Sequence, residues 1–198
     1  MIAKSRRIVL VGAALSVMGL GGAGALLSTK RPADGGVGAL GISGRFALAT
    51  ADGTGVTEAS YRGKWLLVYF GFTYCPDACP TALSAIGTAL DRLGPSADKV
   101  QPLFITVDPE RDTPAVVADY IKSFDPRIIG LVGTPEQIAA AAKEYRVFYA
   151  SRSLGNDDYV IDHSSFIYVI DPRGRFMRLL TGDLPGHQMA DELRQLIE

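Results

Sequence analysis

The chain has 198 residues, 47% hydrophobic and 21% charged, with a formal net charge of −1. That length gives one domain of ordinary size with a sizeable core, and that composition excludes a disordered chain. The near-neutral balance leaves no basic, aromatic-studded face, so no nucleic-acid partner is expected.

The first elements form a separate object. Lys4, Arg6 and Arg7 precede an almost unbroken apolar run of twenty residues, Ile8 to Leu27. As a helix it would reach about 30 Å, the thickness of a bilayer core. Residues 1–31 are therefore expected to be a membrane anchor, with the basic cluster kept on the cytoplasmic side. The alternative is a cleaved signal segment, because Ala23-Gly24-Ala25 is an A-x-A pattern, and "SRRIVL" at 5–10 weakly resembles a twin-arginine export signal. Every one of these readings puts the rest of the chain outside the cytoplasm. The short basic start favours the bacterial periplasm, inner-membrane-anchored or released after cleavage, over a mitochondrial intermembrane space. Residues 32–44 belong to a Gly/Ala/Ser-rich stretch expected to be a flexible linker, leaving 45–198 as the domain.

Within the domain, 45–60 is expected to form a small N-terminal hairpin. "GKWLLVYFGF" at 63–72, "PLFITV" at 102–107 and "SFIYVI" at 165–170 are apolar runs of strands buried on both faces, and "RIIGLV" at 127–132 is a shorter one. Asp171-Pro172-Arg173-Gly174 turns 165–170 into 175–182 as an antiparallel hairpin. Helices are expected from Ala82 to Leu93, from Thr113-Pro114 to about Phe124, from Thr134-Pro135 to about Tyr145 with Gln137 closing a capping box, and from Gln188 to Ile197. The polar segment 151–159 is read as a loop. This order predicts a layered α/β fold of thioredoxin-like arrangement, with a mixed central sheet flanked by helices and an N-terminal hairpin extension. Cys75 lies just past the strand at 63–72 and Asp108 just past the one at 102–107, so both loops can face one crevice.

The chain's two cysteines, Cys75 and Cys79, lie in "GFTYCPDACPTAL". Pro80 lacks an amide hydrogen and is tolerated only in a helix's first turn, so the helix cannot begin before Ala78. Asp77 is then its N-cap, Cys79 sits in the first turn and Cys75 in the loop before it. A helix N-terminus favours thiolate, and Cys79 is expected to benefit most. A structural disulfide here would close so short a loop that it adds only about 2 kcal/mol. A thiol–disulfide redox couple and a metal site fit the pair better, and two soft sulfurs favour Cu(I), with zinc second. Of the two histidines, His187 is expected to be solvated at the start of the last helix. His163, before a buried strand, is the candidate third ligand, with Asp162 beside it to orient the ring.

"YFGFTYCPDACPTAL", "ITVDPERDTP", "GLVGTPEQI" and "DDYVIDHSSFIYVIDPRGRF" together closely resemble the Sco/SenC family of copper-binding proteins, from about Phe46 to the C-terminus. The resemblance implies a thioredoxin-like domain tethered by one transmembrane helix, with one copper, as Cu(I) or Cu(II), held by Cys75, Cys79 and His163. It implies a copper chaperone that delivers to the dinuclear copper site on the copper-bearing subunit of cytochrome c oxidase. The alternative is an enzyme, a thiol–disulfide oxidoreductase that reduces the cysteines of that site or of another exported partner. Either role requires an upstream copper donor or thiol reductant. Asp77, Asp108 and Asp162 are candidates to brace the ligands from behind, and Arg111 joins Asp108 at the crevice rim. A peroxidase is disfavoured: Thr73 lies two positions before Cys75 and the proline of that motif is missing. A structural zinc is disfavoured because three protein ligands leave the site open.

Overall fold

The computed structural model describes residues 40–156 and 158–197. The expected anchor or signal segment at 1–31 and most of the linker lie outside the described residues. Among the described residues no helix is long and apolar enough to cross a membrane.

A seven-stranded mixed sheet runs through the domain in the order β2-β1-β5-β4-β3-β8-β9. Its strands are β1 (Ala47–Thr50), β2 (Gly55–Thr57), β3 (Trp65–Gly71), β4 (Val100–Thr106), β5 (Ile129–Val132), β8 (Phe166–Ile170) and β9 (Phe176–Thr181). β3, β4 and β5 are parallel neighbours, and the pairs β1–β2, β1–β5, β3–β8 and β8–β9 are antiparallel. β3 lies inside the sheet between β4 and β8, and Leu66 to Gly71 are all buried, as a strand covered on both faces requires. Pro102 is accommodated in β4 because it pairs with Leu67 of β3 before the β5 ladder begins at Leu103.

Helices cover both faces. Tyr69 and Phe104 are register partners and share a face with Gly130. On that face lie α1 (Ala78–Leu93), whose Cys79 abuts Gly71, and α2 (Pro114–Lys122), whose Tyr120 packs on Phe104 at 5.7 Å between ring centroids. On the other face Tyr145 of α3 (Pro135–Tyr145) packs against Phe70 and Tyr168, with centroids 5.2 and 5.3 Å away. α4 (Gly186–Ile197) lies along α1, where a Cβ on Gly186 would come within 2.5 Å of Thr88 Cβ. Only glycine allows that approach. The buried residues of α1 recur at helical spacing, Cys79, Ala82, Leu83, Ile86, Leu90 and Leu93.

The sequence expectations hold for the strands, the N-terminal hairpin, the closing β8–β9 hairpin and all four helices, with shifted ends. Two corrections arise. Ile42, Ser43 and Gly44, read as linker, are buried, and Tyr145 Oη donates to Gly44 O at 2.9 Å. The domain's packing thus begins before Arg45. The segment read as a polar loop is a second sheet, the antiparallel pair β6 (Tyr149–Gly155) and β7 (Asp158–His163), separate from the main one.

Candidate metal centre

The site assembles at the C-terminal end of β3. The chain leaves the strand through Phe72, and Cys75 N donates to Phe72 O at 3.2 Å, closing a turn. α1 then begins at Ala78 with Asp77 at its N-cap position, as the missing amide hydrogen of Pro80 requires. Asp77 itself is exposed and its side chain makes no capping hydrogen bond. Cys75 takes that role: its Sγ accepts the Cys79 N–H at 3.4 Å.

Cys79 is fully buried and Cys75 half-buried, and both are free thiols. Gly71 lets the buried thiol sit against the sheet, since a Cβ there would lie 2.7 Å from Cys79 Sγ. His163, the last residue of β7, comes from 84 positions beyond Cys79 and places Nε2 3.5 Å from Cys79 Sγ. Its ring packs edge-on against Phe72 and Tyr69, with centroids 5.7 and 6.2 Å away. Nδ1 faces Ser164 O at 3.1 Å, an arrangement that puts the proton on Nδ1 and leaves the Nε2 lone pair toward the sulfurs. The donor atoms of Cys75, Cys79 and His163 lie within 4.8 Å of one another. Bonds of about 2.0–2.3 Å to one ion would need only a small contraction of such a group.

The electrostatics divide the thiols in the order opposite to expectation. Cys75 is held far below the usual thiol range, first by the hydrogen bond with Cys79, then by His163 and the backbone amides of Asp77 and Cys79. Cys79 is pushed up by the same bond, by burial and by the negative Cys75 beside it. The helix amides point at the loop sulfur, so the N-terminal effect acts on Cys75. Tyr69 Oη lies 3.8 Å from Cys79 Sγ and 3.2 Å from Ser165 Oγ, a polar contact inside an otherwise apolar floor.

None of the three carboxylates named as braces hydrogen-bonds a ligand side chain directly, although Asp108 does pair with Arg111. Asp162 faces away from His163 because neighbours on a strand alternate, and it pairs instead with Arg152 at 3.4 Å across the hairpin. The ring is oriented by the Ser164 carbonyl. Asp108 is buried but bonds Arg111 Nε at 2.6 Å and accepts from Tyr159 Oη at 2.7 Å. Asp77 contributes through its backbone. His187 is exposed, as expected.

The bracing carboxylate that sequence reasoning missed is Asp112. It is buried and accepts from Thr73 N at 3.1 Å, Thr73 Oγ1 at 2.5 Å and Thr106 Oγ1 at 2.6 Å, fixing the start of the cysteine loop to the end of β4. Burial raises its carboxyl above the usual range although three donors oppose the shift. Its signal was its position just before the Thr113 N-cap, inside the same "VDPERDTP" motif.

Comparison with known proteins adds independent findings. The SCO1/SenC family profile matches residues 37–198. A mitochondrial SCO2 homologue of Bos taurus is 42% identical over 155 residues, covering 77% of this chain. The chain spans 58% of that relative's length. Among solved structures, Bradyrhizobium japonicum ScoI with copper bound is 42% identical with a TM-score of 0.71, covering 76% of this chain and 96% of that one. Arabidopsis thaliana ScoI with copper bound is 40% identical with a TM-score of 0.74, covering 79% and 98%.

Proposed function

The chain belongs to the SCO1/SenC family, and from that membership we propose that it is a copper chaperone whose cargo is held by Cys75, Cys79 and His163. The observation that carries this reading is the convergence of two sulfurs and one imidazole nitrogen within 4.8 Å. That donor set is soft and short of a fourth protein ligand, which suits Cu(I) better than structural zinc. Copper bound in solved relatives of 42% and 40% identity supports the same cargo. Cys79 is buried and holds copper from below, while half-buried Cys75, stabilised as thiolate, and half-buried His163 present it toward the surface. The recipient, by family resemblance, is the dinuclear copper site of the copper-bearing subunit of cytochrome c oxidase. An upstream copper donor or thiol reductant would load the site. The domain would work outside the cytoplasm, at the periplasmic face of a bacterial inner membrane, tethered through its N-terminal segment.

The thiol asymmetry favours a second reading, reduction of a partner disulfide. Cys75 thiolate would attack one sulfur of that disulfide and release the other as a thiol, forming a mixed disulfide. Cys79 would then lose its proton and attack Cys75 Sγ, freeing the partner's second thiol and leaving a Cys75–Cys79 disulfide. Two electrons pass to the partner, and an upstream reductant must restore the pair.

Titration of the reduced chain with Cu(I) against a chromogenic chelator tests the first reading. Uptake of one copper is expected, weakened in Cys75→Ser, Cys79→Ser and His163→Ala. Wild-type affinity in His163→Ala would sink the three-ligand site. An assay of partner-disulfide reduction that is indifferent to His163→Ala would favour the reductase.

A further inference from the structure

His163 is carried by a sheet of its own. Among the described residues β6 and β7 pair only with each other, so His163 itself lies in no ladder of the main sheet, which resumes at Phe166 of β8. Packing holds the hairpin in part: Ile161 joins the core with Tyr149, Tyr159 and Val160 against it, while β6 is exposed from Ala150 onward. A cavity of about 770 Å³ opens between it and the segment after β4, lined by Val107, Asp108, Tyr149, Tyr159 and Ile161 among others.

One side chain spans the two supports. Arg111 donates from Nε to Asp108 Oδ2 at 2.6 Å and from Nη1 to Tyr159 O at 2.9 Å. Its guanidinium carbon lies 3.7 Å from the ring centroid of Tyr159 and 4.8 Å from that of Tyr74. Tyr159 closes the circuit by donating to Asp108 Oδ1 at 2.7 Å. Tyr74 is the residue before Cys75. Tyr159, Ile161 and His163 fall on one face of β7 by strand alternation. A single planar cation therefore touches the neighbour of one ligand and the strand that carries another. The Arg111 side chain is four-fifths buried, so the stack and the two hydrogen bonds hold it in one place.

We propose that Arg111 is a positioning residue: stacked between Tyr74 and Tyr159 and paired with Asp108, it sets the separation of His163 from Cys75 and Cys79 and so decides whether the imidazole joins the thiols around copper. The proposal rests on the three-ligand reading above. Asp108 acts through Arg111 and Tyr159, which explains a buried carboxylate that faces the hairpin instead of the sulfurs.

The test is a double-mutant cycle on the reduced full-length chain, using Arg111→Ala, His163→Ala and the pair. Two readouts are taken: Cu(I) affinity by chelator competition, and nitrogen hyperfine coupling in the electron paramagnetic resonance spectrum after Cu(II) loading. Arg111→Ala is expected to lower affinity about tenfold or more and to remove the nitrogen coupling while sparing the thiolate-to-copper absorption. In the His163→Ala background it should change affinity by less than about twofold, because its effect passes through His163. Arg111→Lys should fail to rescue, since an ammonium provides neither the planar fork nor the stack. Tyr159→Leu, which removes the stack and the Asp108 bond but keeps an apolar side chain in the strand, should give the same loss if Arg111→Ala does not fold. Retained nitrogen coupling and affinity in Arg111→Ala, beside their loss in His163→Ala, would overturn the proposal, as would additive losses. Wild-type behaviour of His163→Ala would overturn the three-ligand reading and this proposal with it.

Discussion

At the scale of single residues, the site depends on one absent side chain and one buried carboxylate. Gly71 ends β3 where Cys79 lies against the sheet, and a Cβ there would also come 2.9 Å from Phe104 Cε2 and 3.1 Å from Tyr69 Cε1. None of these neighbours is the free end of a flexible chain. Gly71→Ala is therefore expected to lose about 1–3 kcal/mol of stability by overpacking, read as a lower urea midpoint with an unchanged slope. An unchanged midpoint would mean that Cys79 can retreat, and then copper affinity should fall instead. Asp112→Ala would strand the Thr73 amide and the Thr106 hydroxyl, costing about 1–3 kcal/mol, whereas Asp112→Asn keeps an oxygen acceptor and should cost less. The comparison is made by denaturant unfolding at neutral pH. The cysteine pair was legible because its chemistry is rare in the chain, and His163 only as a candidate beside it. The ranking of the thiols was not. It depends on which sulfur the first helical amides face, and that is set by the turn closed by Cys75 N and Phe72 O, which residue types alone do not specify.

At the scale of elements, legibility tracked the strength of the local signal. α3 is announced by Thr134 and Gln137, and both bonds of the capping box form: Thr134 N donates to Gln137 Oε1 at 2.8 Å and Gln137 N to Thr134 Oγ1 at 3.3 Å. α1 is placed by the missing amide hydrogen of Pro80. The β6–β7 hairpin left no such trace. β6 is exposed from Ala150 onward, so it shows no alternation between apolar and polar faces, and its register shifts between Ser153 and Gly155. Only the turn was visible, with Gly155 and Asn156 at φ of 87° and 53°. A second element-scale device links α1 to the turn before β5. Asp125 accepts from Arg127 N at 2.8 Å and Arg127 Nε at 2.9 Å, while Arg127 Nη2 reaches Asp91 Oδ1 at 2.5 Å. The Arg127 side chain, outweighing burial, lowers the Asp125 carboxyl below its ordinary value. A lowered folded-state value means that the stabilisation is present above the unfolded-state titration near pH 4 and disappears as pH falls through the folded value. The stability gap between wild type and Asp125→Asn should thus be open at pH 7 and close in strong acid, measured by thermal melts at both. A gap that widens in acid would contradict the assigned direction.

At the scale of the whole molecule, the fold brings together donors that the chain keeps far apart. Parallel β3, β4 and β5 deliver the cysteine loop and the "VDPERDTP" segment to one end of the sheet, and the hairpin between α3 and β8 returns His163 to the same end. The β-α alternation was enough to predict that the first two meet. The arrival of His163 came from family resemblance, because nothing in the sequence between Cys79 and His163, 84 positions apart, states a distance. On the proposed reading copper is a ligand of the folded state alone, and its binding is therefore a stability term for the entire domain. At free Cu(I) about 100-fold above the dissociation constant, mass action adds about 2.7 kcal/mol. For a domain of this size that is a rise of about 5–10 °C in Tm, somewhat reduced by whatever copper the unfolded thiols retain. Oxidation to a Cys75–Cys79 disulfide removes both sulfur ligands and itself stabilises by no more than about 2 kcal/mol, since the closed loop is short. The reduced chain should therefore melt higher with copper than without it. The oxidised chain and the Cys75→Ser/Cys79→Ser variant should melt at temperatures indifferent to copper. Scanning calorimetry of the three forms with and without Cu(I) decides the matter. A copper-dependent rise in the doubly substituted variant would place the stabilising ion somewhere other than at these sulfurs.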